Sequence, residues 1–201
     1  MPRLPMTEEE FAAGRTRILR EAAIIMGRDG VAGLSMRTLA KSLGLTPGAL
    51  YRYFPSKQEM LLAYWESSLR TLSARIVAIG QTNIDATSAI RRILAEYALF
   101  CLEDKDRFRL LFLHYDDGMV SDVESWTDGL APYDLLLKHV RIALQNGAFR
   151  RCEAAQICNT LWAGIHGAVV LLLTVKEIDF GDPQTFIAHT ADTLMRGLSQ
   201  P

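Results

Sequence analysis

Residues Leu34 to Lys57, LSMRTLAKSLGLTPGALYRYFPSK, admit few folds. Ser35 is a good helix N-cap, and Met36, Leu39, Ala40 and Leu43 recur at helical spacing on one face. Gly44 suits the left-handed residue that closes a helix. Thr46 caps the next helix, and Pro47 stands at its first position, where a missing N–H costs nothing. That second helix is short, Gly48 to Tyr53. It carries Tyr51, Arg52 and Tyr53 and no acid. Pro55 and Ser56 stop it, and Ser56-Lys57-Gln58-Glu59 reads as the capping box of a longer helix. Helix, tight turn and short polar helix make a helix-turn-helix, whose second helix enters the major groove of DNA.

Charge points the same way. Between Phe11 and Lys57 eight basic residues (Arg15, Arg17, Arg20, Arg28, Arg37, Lys41, Arg52, Lys57) stand against two acids, Glu21 and Asp29, a formal +6 in a chain of formal net charge -1. The remainder is therefore acidic. Such a balance suits a local electrostatic footprint on DNA rather than a general nucleic-acid coat. The bland alternative, a solvated basic face, does not account for the coincidence of these charges with the motif.

The chain resembles the TetR family of transcriptional regulators over about Thr16 to Leu62. The residues that carry the likeness are Gly30, Leu34, Ser35, Arg37, Ala40, Leu43, Gly44, Pro47, Gly48, Leu50, Tyr51, Tyr53, Phe54 and Lys57, with the run T-P-G-A-L-Y-x-Y-F-x-S-K the most specific. The resemblance implies groove contact by Thr46 to Tyr53, and the DNA-contacting candidates are Ser35, Arg37, Thr46, Pro47, Gly48, Ala49, Tyr51, Arg52, Tyr53 and Lys57. Gly48 and Ala49 let the backbone approach base edges, and Ala49 suits a thymine methyl. Arg37 is the candidate for a bidentate guanine contact. Lys57, Tyr51, Tyr53 and the helix N-terminus at Thr46 suit phosphate. Tyr51 as core and Arg52 as solvated surface are the open alternatives.

With 201 residues, 49% of them apolar and 22% charged, the chain has the composition of a globular protein with a core. Its cysteines, Cys101, Cys152 and Cys158, are odd in number and lack CxxC spacing, which argues against a disulfide framework or a zinc site and fits a reduced, cytoplasmic setting. MPRLPMTEEE lacks the apolar stretch of a secretory leader, so none is expected. The apolar run Leu161 to Val175 contains His166 and falls short of the ~20 residues a membrane span needs, so a buried helix is expected there.

Strand signals are weak and long segments show helical periodicity. The expected fold is all-α. A three-helix helix-turn-helix domain over residues 1–55 joins a larger helical bundle over 56–201, about nine helices in all. A first helix opens at the Thr7–Glu10 capping box and closes near Asp29-Gly30. A fourth runs from Ser56 to about Ile79. Others occupy Asp85–Glu103, Asp106–Tyr115, Pro132–Asn146, Glu153–Lys176 and Pro183–Leu198, with Asp116–Gly129 irregular.

In the second part, Leu161-Trp162-Ala163-Gly164-Ile165-His166-Gly167 resembles the W-x-x-x-H-G run of the WHG type of TetR-family C-terminal domain. Trp162 and His166 share a helix face. Two glycines inside a helix imply close approach of a neighbour, since each costs ~1 kcal/mol against Ala. His166 is either a core histidine or a ligand contact. A small organic effector is implied by the resemblance, and its candidate contacts are Phe100, Phe108, Phe112, His114, Tyr115, Trp126, Tyr133, Trp162 and His166, with plain core as the alternative for each.

A homodimer is expected, because one short reading helix distinguishes few bases. The interface candidates are Ile157, Leu161, Ile165, Val169 and Leu172 of one helix and Phe186, Ile187, Thr190, Leu194 and Leu198 of the last. No cofactor, metal or membrane partner is expected. The rival catalytic reading rests on His114, Asp116 and Asp117, or on His139, His166 and His189. It lacks an HExxH, GxSxG or phosphate-loop signature. A DNA-bridging protein without a ligand is a third possibility.

Overall fold

In the computed structural model, which describes residues 6–82, 84–112 and 131–199, Thr7 opens the first helix. Its hydroxyl accepts from Glu10 N at 3.2 Å and Glu10 Oε2 accepts from Thr7 N at 2.9 Å, the reciprocal box expected from the sequence. Helix α1 (Glu8–Gly33) breaks at Gly30, with φ 72° and ψ 173°, and one further turn follows. A side chain at Gly30 would be strained by that φ, so glycine is required there.

Helix α2 (Met36–Ser42) is capped by Ser35, which accepts from Thr38 N at 3.0 Å. Gly44, at φ 67°, ends it. Leu45 N then donates to Ala40 O at 2.9 Å and Gly44 N to Lys41 O at 3.2 Å, the paired closing bonds of a Schellman turn. Helix α3 (Pro47–Tyr51) follows at once, with Thr46 accepting from Ala49 N at 3.2 Å. Helices α4 (Lys57–Gly80), α5 (Ala86–Glu103), α6 (Lys105–Phe112), α7 (Ala131–Gln145), α8 (Ala154–Thr174) and α9 (Pro183–Leu198) complete nine helices among the described residues. Strand pairing there is confined to one antiparallel bridge, Phe149 to Ser199. The stretch expected to be irregular, Asp116–Gly129, lies outside the described residues.

The chain forms two compact units, and the division is not a single cut at residue 55. One unit takes the described residues of Met1–Ser68 and of Asp106–Ser121. The other takes those of Leu69–Lys105 and of Asp122–Pro201. The backbone therefore passes between units three times, once inside α4.

The first unit has its own core. Leu39, Leu50, Phe54 and Met60 are fully buried, joined by Ile18, Ala22, Ile25, Met26 and Leu34. Each large apolar side chain so buried contributes about 1.5–3 kcal/mol before chain entropy is set against it. In the second unit α5, α7, α8 and α9 pack on one another. Ile157, Leu161, Ile165 and Val169, at steps of four on α8, are buried in that core. Gly164 marks a close crossing of α8 and α9, since a Cβ there would collide with Leu194 Cδ1. Arg75 of α4 pairs with Glu96 at 3.3 Å and Glu103 at 2.9 Å of α5, and Arg91 of α5 pairs with Asp192 of α9 at 2.7 Å.

Candidate functional site

The helix-turn-helix presents an acid-free surface. No Asp or Glu occurs from Gly30 through Gln58. The apolar positions of α2, Met36, Leu39, Ala40 and Leu43, point into the core, which leaves Arg37, Thr38, Lys41 and Ser42 exposed. On α3, Leu50 is buried while Tyr51 is 48% exposed. Pro47, Gly48 and Arg52 are exposed too, and Ala49 is half-buried. A Cβ at Gly48 would meet nothing of the protein within 4 Å. Space within the protein therefore does not explain a glycine there.

Several candidates prove to be occupied inside the protein. The hydroxyls of Ser35 and Thr46 cap α2 and α3. Tyr53 stacks on Phe11 with ring centroids 5.1 Å apart and donates its hydroxyl to Met6 Sδ at 3.1 Å. Gly14 leaves room for that ring, because a Cβ would collide with it. Tyr53 thus fixes the end of α3 against α1. Lys57 Nζ donates to Val31 O at 3.2 Å, closing the last turn of α1, and keeps further donor capacity. Arg15 donates to Tyr53 O at 2.7 Å and lies 4.0 Å from the Phe54 ring. Arg17 donates to Leu43 O at 3.3 Å. These contacts pin α1 to the helix-turn-helix.

The candidate effector residues separate. Phe108 and Phe112, with centroids 5.2 Å apart, belong to the first unit. Phe100 is buried in the second, beneath the Arg75 guanidinium at 5.6 Å. His114, Tyr115 and Trp126 lie outside the described residues. Trp162, His166 and Tyr133 do come together, around a residue absent from the sequence-based set. That residue is Tyr97 of α5, whose hydroxyl lies 2.7 Å from His166 Nδ1. Trp162 meets Tyr133 edge-on at 6.2 Å and His166 at 6.3 Å. Tyr133 donates to Asn159 Oδ1 at 3.0 Å. Burial raises the Tyr97 phenol above its ordinary pKa, lowers that of the His166 imidazole and pushes the Cys158 thiol up to about 11. All three are neutral at pH 7. Tyr97 sits within an apolar α5 stripe, so periodicity alone reads it as core; only its hydroxyl, which needs a partner when buried, signals the cluster.

Most of the stripe expected to pair with a second copy is turned into the chain's own core. Ile157, Leu161, Ile165, Val169, Ile187 and Leu198 are buried within the chain, and Leu172, Phe186, Thr190 and Leu194 are half-buried. Steps of four trace one side of a helix, and here that side is the core. The opposite side of α8 is open: Trp162 is 42% and Leu171 40% exposed, with Ala163 and Gly167 also at the surface. By length and composition α8 would suffice to cross a membrane, longer than the apolar run read from sequence. Among the described residues no cluster of three or more His, Cys, Asp or Glu is arranged to hold a metal.

Residues 18–64 match the family model of bacterial regulatory proteins of the tetR family. The nucleoid occlusion factor SlmA of Actinobacillus pleuropneumoniae serotype 5b (strain L20) is 32% identical over 111 residues, 53% of this chain and 55% of that protein. SlmA of Marinomonas sp. (strain MWYL1) is 32% identical over 48% and 49% of the two chains. The chain spans about half the length of the curated relatives it matches. A protein of unknown function from Rhodococcus sp. RHA1 superposes with a TM-score of 0.80 at 26% identity, over 92% of this chain and 95% of that one. The TetR family transcriptional regulator PfmR of Thermus thermophilus gives 0.70 at 23% identity over 93% and 98%. A Saccharomonospora viridis protein solved in complex with choline gives 0.78 at 22% identity over 94% and 100%. These last two share the fold.

Proposed function

We propose that this chain, a TetR-family helix-turn-helix DNA-binding transcription regulator, is a cytoplasmic homodimeric repressor that leaves a pseudo-palindromic operator when a small organic effector binds its second unit. The observation that carries the reading is the acid-free α2–α3 surface, with Arg37, Tyr51 and Arg52 exposed and Gly48 open to close approach. One such surface contacts few bases, so two copies related by a two-fold axis supply the specificity. The open apolar side of α8, Trp162 to Leu171, supports pairing there. The polar and aromatic groups of Tyr97, Tyr133, Trp162 and His166 support an aromatic or amphipathic effector with one or two hydrogen-bonding groups. Choline, held by the Saccharomonospora viridis neighbour, is a reasonable first compound.

Release needs no new chemistry. An effector that binds one arrangement of the two readers more tightly than the other shifts the dimer toward it. A hundredfold loss of operator affinity corresponds to about 2.7 kcal/mol of coupling, within the usual allosteric range. The sign is repression because a dimer parked on a promoter blocks polymerase without further surface. Footprinting on the DNA upstream of the protein's own gene, with and without candidate compounds, tests all three parts. Protection lost as the compound saturates supports the reading; protection unmoved by every compound that binds overturns release.

The SlmA relatives, nucleoid occlusion factors by name, favour a second reading, a factor that acts across the nucleoid rather than at one promoter. Occupancy mapped across the chromosome separates the two. A repressor concentrates at one or a few promoters, and a chromosome-bound factor occupies many dispersed sites.

A further inference from the structure

The eight cations between Phe11 and Lys57 divide by what they already hold. Arg15, Arg17 and Lys57 donate to backbone carbonyls, and Arg28 pairs with Asp29 at 2.7 Å. Arg20, Arg37, Lys41 and Arg52 are exposed and make no hydrogen bond or ion pair with the described residues. Two of these four stand in a defined relation. Arg37 and Lys41 are four apart on α2, so their Cβ atoms lie about 5–6 Å from each other on one helix face. Like charges at that spacing repel, and α2 contains no acid. Among the described residues the carboxylate that hydrogen-bonds α2, Glu21, bonds Ser42 Oγ, which lies on the adjacent face with Thr38 rather than with Lys41. Neither cation has an ion-pair partner among the described residues.

We infer that Lys41 is a DNA-phosphate contact, extending the interface along α2 from Arg37 toward the turn at Gly44. The inference rests on the DNA-binding reading and adds a residue outside the motif's reading helix. A flexible ammonium four residues from a groove-facing guanidinium suits the neighbouring backbone phosphate as a point charge, and a phosphate between the two relieves their repulsion. Such a contact carries no base information and is read through salt.

The test uses the full-length chain and a short duplex of random sequence, with affinity followed by fluorescence anisotropy from about 50 to 200 mM salt. In Lys41→Gln the slope of log affinity against log salt becomes shallower by about 0.9. Lys41→Arg keeps the wild-type slope, as does Lys138→Gln, which removes an exposed cation from α7. Arg37→Gln and Arg52→Gln are measured beside them. A wild-type slope in Lys41→Gln, with a shallower one in Arg37→Gln or Arg52→Gln, overturns the assignment and leaves the DNA interface standing. A shallower slope in Lys41→Arg also overturns it, since the charge is retained. If no variant differs and the wild type shows no salt dependence, the DNA-binding surface itself is misplaced. Thermal melting of each variant shows whether the fold is intact, and the charge-preserving variant decides the matter if Lys41→Gln melts early.

Discussion

The hydroxyl of Tyr97 lies 2.7 Å from Nδ1 of His166, a contact that joins α5 to α8. Trp162, one helical turn before His166, meets its ring edge-on at 6.3 Å. The W-x-x-x-H spacing thus places Trp162 against the histidine that meets the Tyr97 oxygen. In Tyr97→Phe the ring remains and this oxygen goes, leaving His166 Nδ1 without it. A loss of about 1–3 kcal/mol in unfolding free energy is expected in urea titration. Unaltered stability would show that the contact is incidental.

His166 also sets a pH dependence. Burial lowers its pKa below the ordinary 6.5, so the unfolded chain binds the proton more readily than the folded one. The contribution is therefore fully present above pH 6.5 and is lost as pH falls from there through the folded pKa. His139, lowered by burial and by Lys138, acts with the same sign. Urea midpoints of wild type should fall as pH drops below the ordinary 6.5, and those of His166→Gln should fall less. Parallel curves for the two proteins would remove His166 from the account.

The helix-turn-helix was legible because it is local. Its caps, its left-handed Gly44 and its apolar spacing all act within a few residues, and each was found where the sequence put it. The internal partners of Tyr53 and Lys57, namely Phe11, Met6 and Val31, are not legible there because they lie far away in sequence. The orientation of α8 was illegible for a related reason. A helix apolar on nearly all sides has no preferred face until its neighbours are placed, and the longest regular stripe proved to be the inward one. Tyr97 was missed because its position is apolar by pattern and polar only at one atom.

Gly48→Ala separates folding from DNA binding. The added methyl meets no protein atom within 4 Å and Gly48 has no left-handed φ. Helix propensity gains up to about 1 kcal/mol, so the melting temperature should hold or rise. Operator affinity should fall about tenfold, equivalent to roughly 1.4 kcal/mol, because the methyl occupies the gap through which the backbone meets the groove. Equal affinity in anisotropy titrations would move the reading surface away from α3.

Arg37 and Lys57 should fail differently. Arg37→Ala removes an exposed guanidinium with no partner among the described residues, so the fold should be unaffected while preference at one base pair relaxes by about 1–3 kcal/mol. Lys57→Ala also frees Val31 O at the end of α1. It should lower stability by about 1 kcal/mol and weaken specific and random DNA alike. Selection of bound sequences from a randomised operator, beside melting curves, distinguishes the two. A base-specific change in Lys57→Ala would reverse the roles.

The two sides of α8 give opposite predictions for one kind of substitution. Ile165 is fully buried inside the chain, so Ile165→Glu places a carboxylate in the core and should unfold the second unit, at a cost of about 3 kcal/mol or more. Leu171, further along the same helix, is 40% exposed, and Leu171→Glu puts the same charge on the open side. Its helical circular dichroism and melting should match wild type. If the open side is where a second copy seats, sedimentation should show Leu171→Glu as a folded monomer where wild type is a dimer. Operator affinity should then drop sharply, because a monomer holds only one of the two reading helices. A Leu171→Glu protein that still sediments as wild-type dimer would place the pairing surface elsewhere. A wild type that is monomeric at micromolar concentration would exclude the homodimer and require each chain to read its site alone.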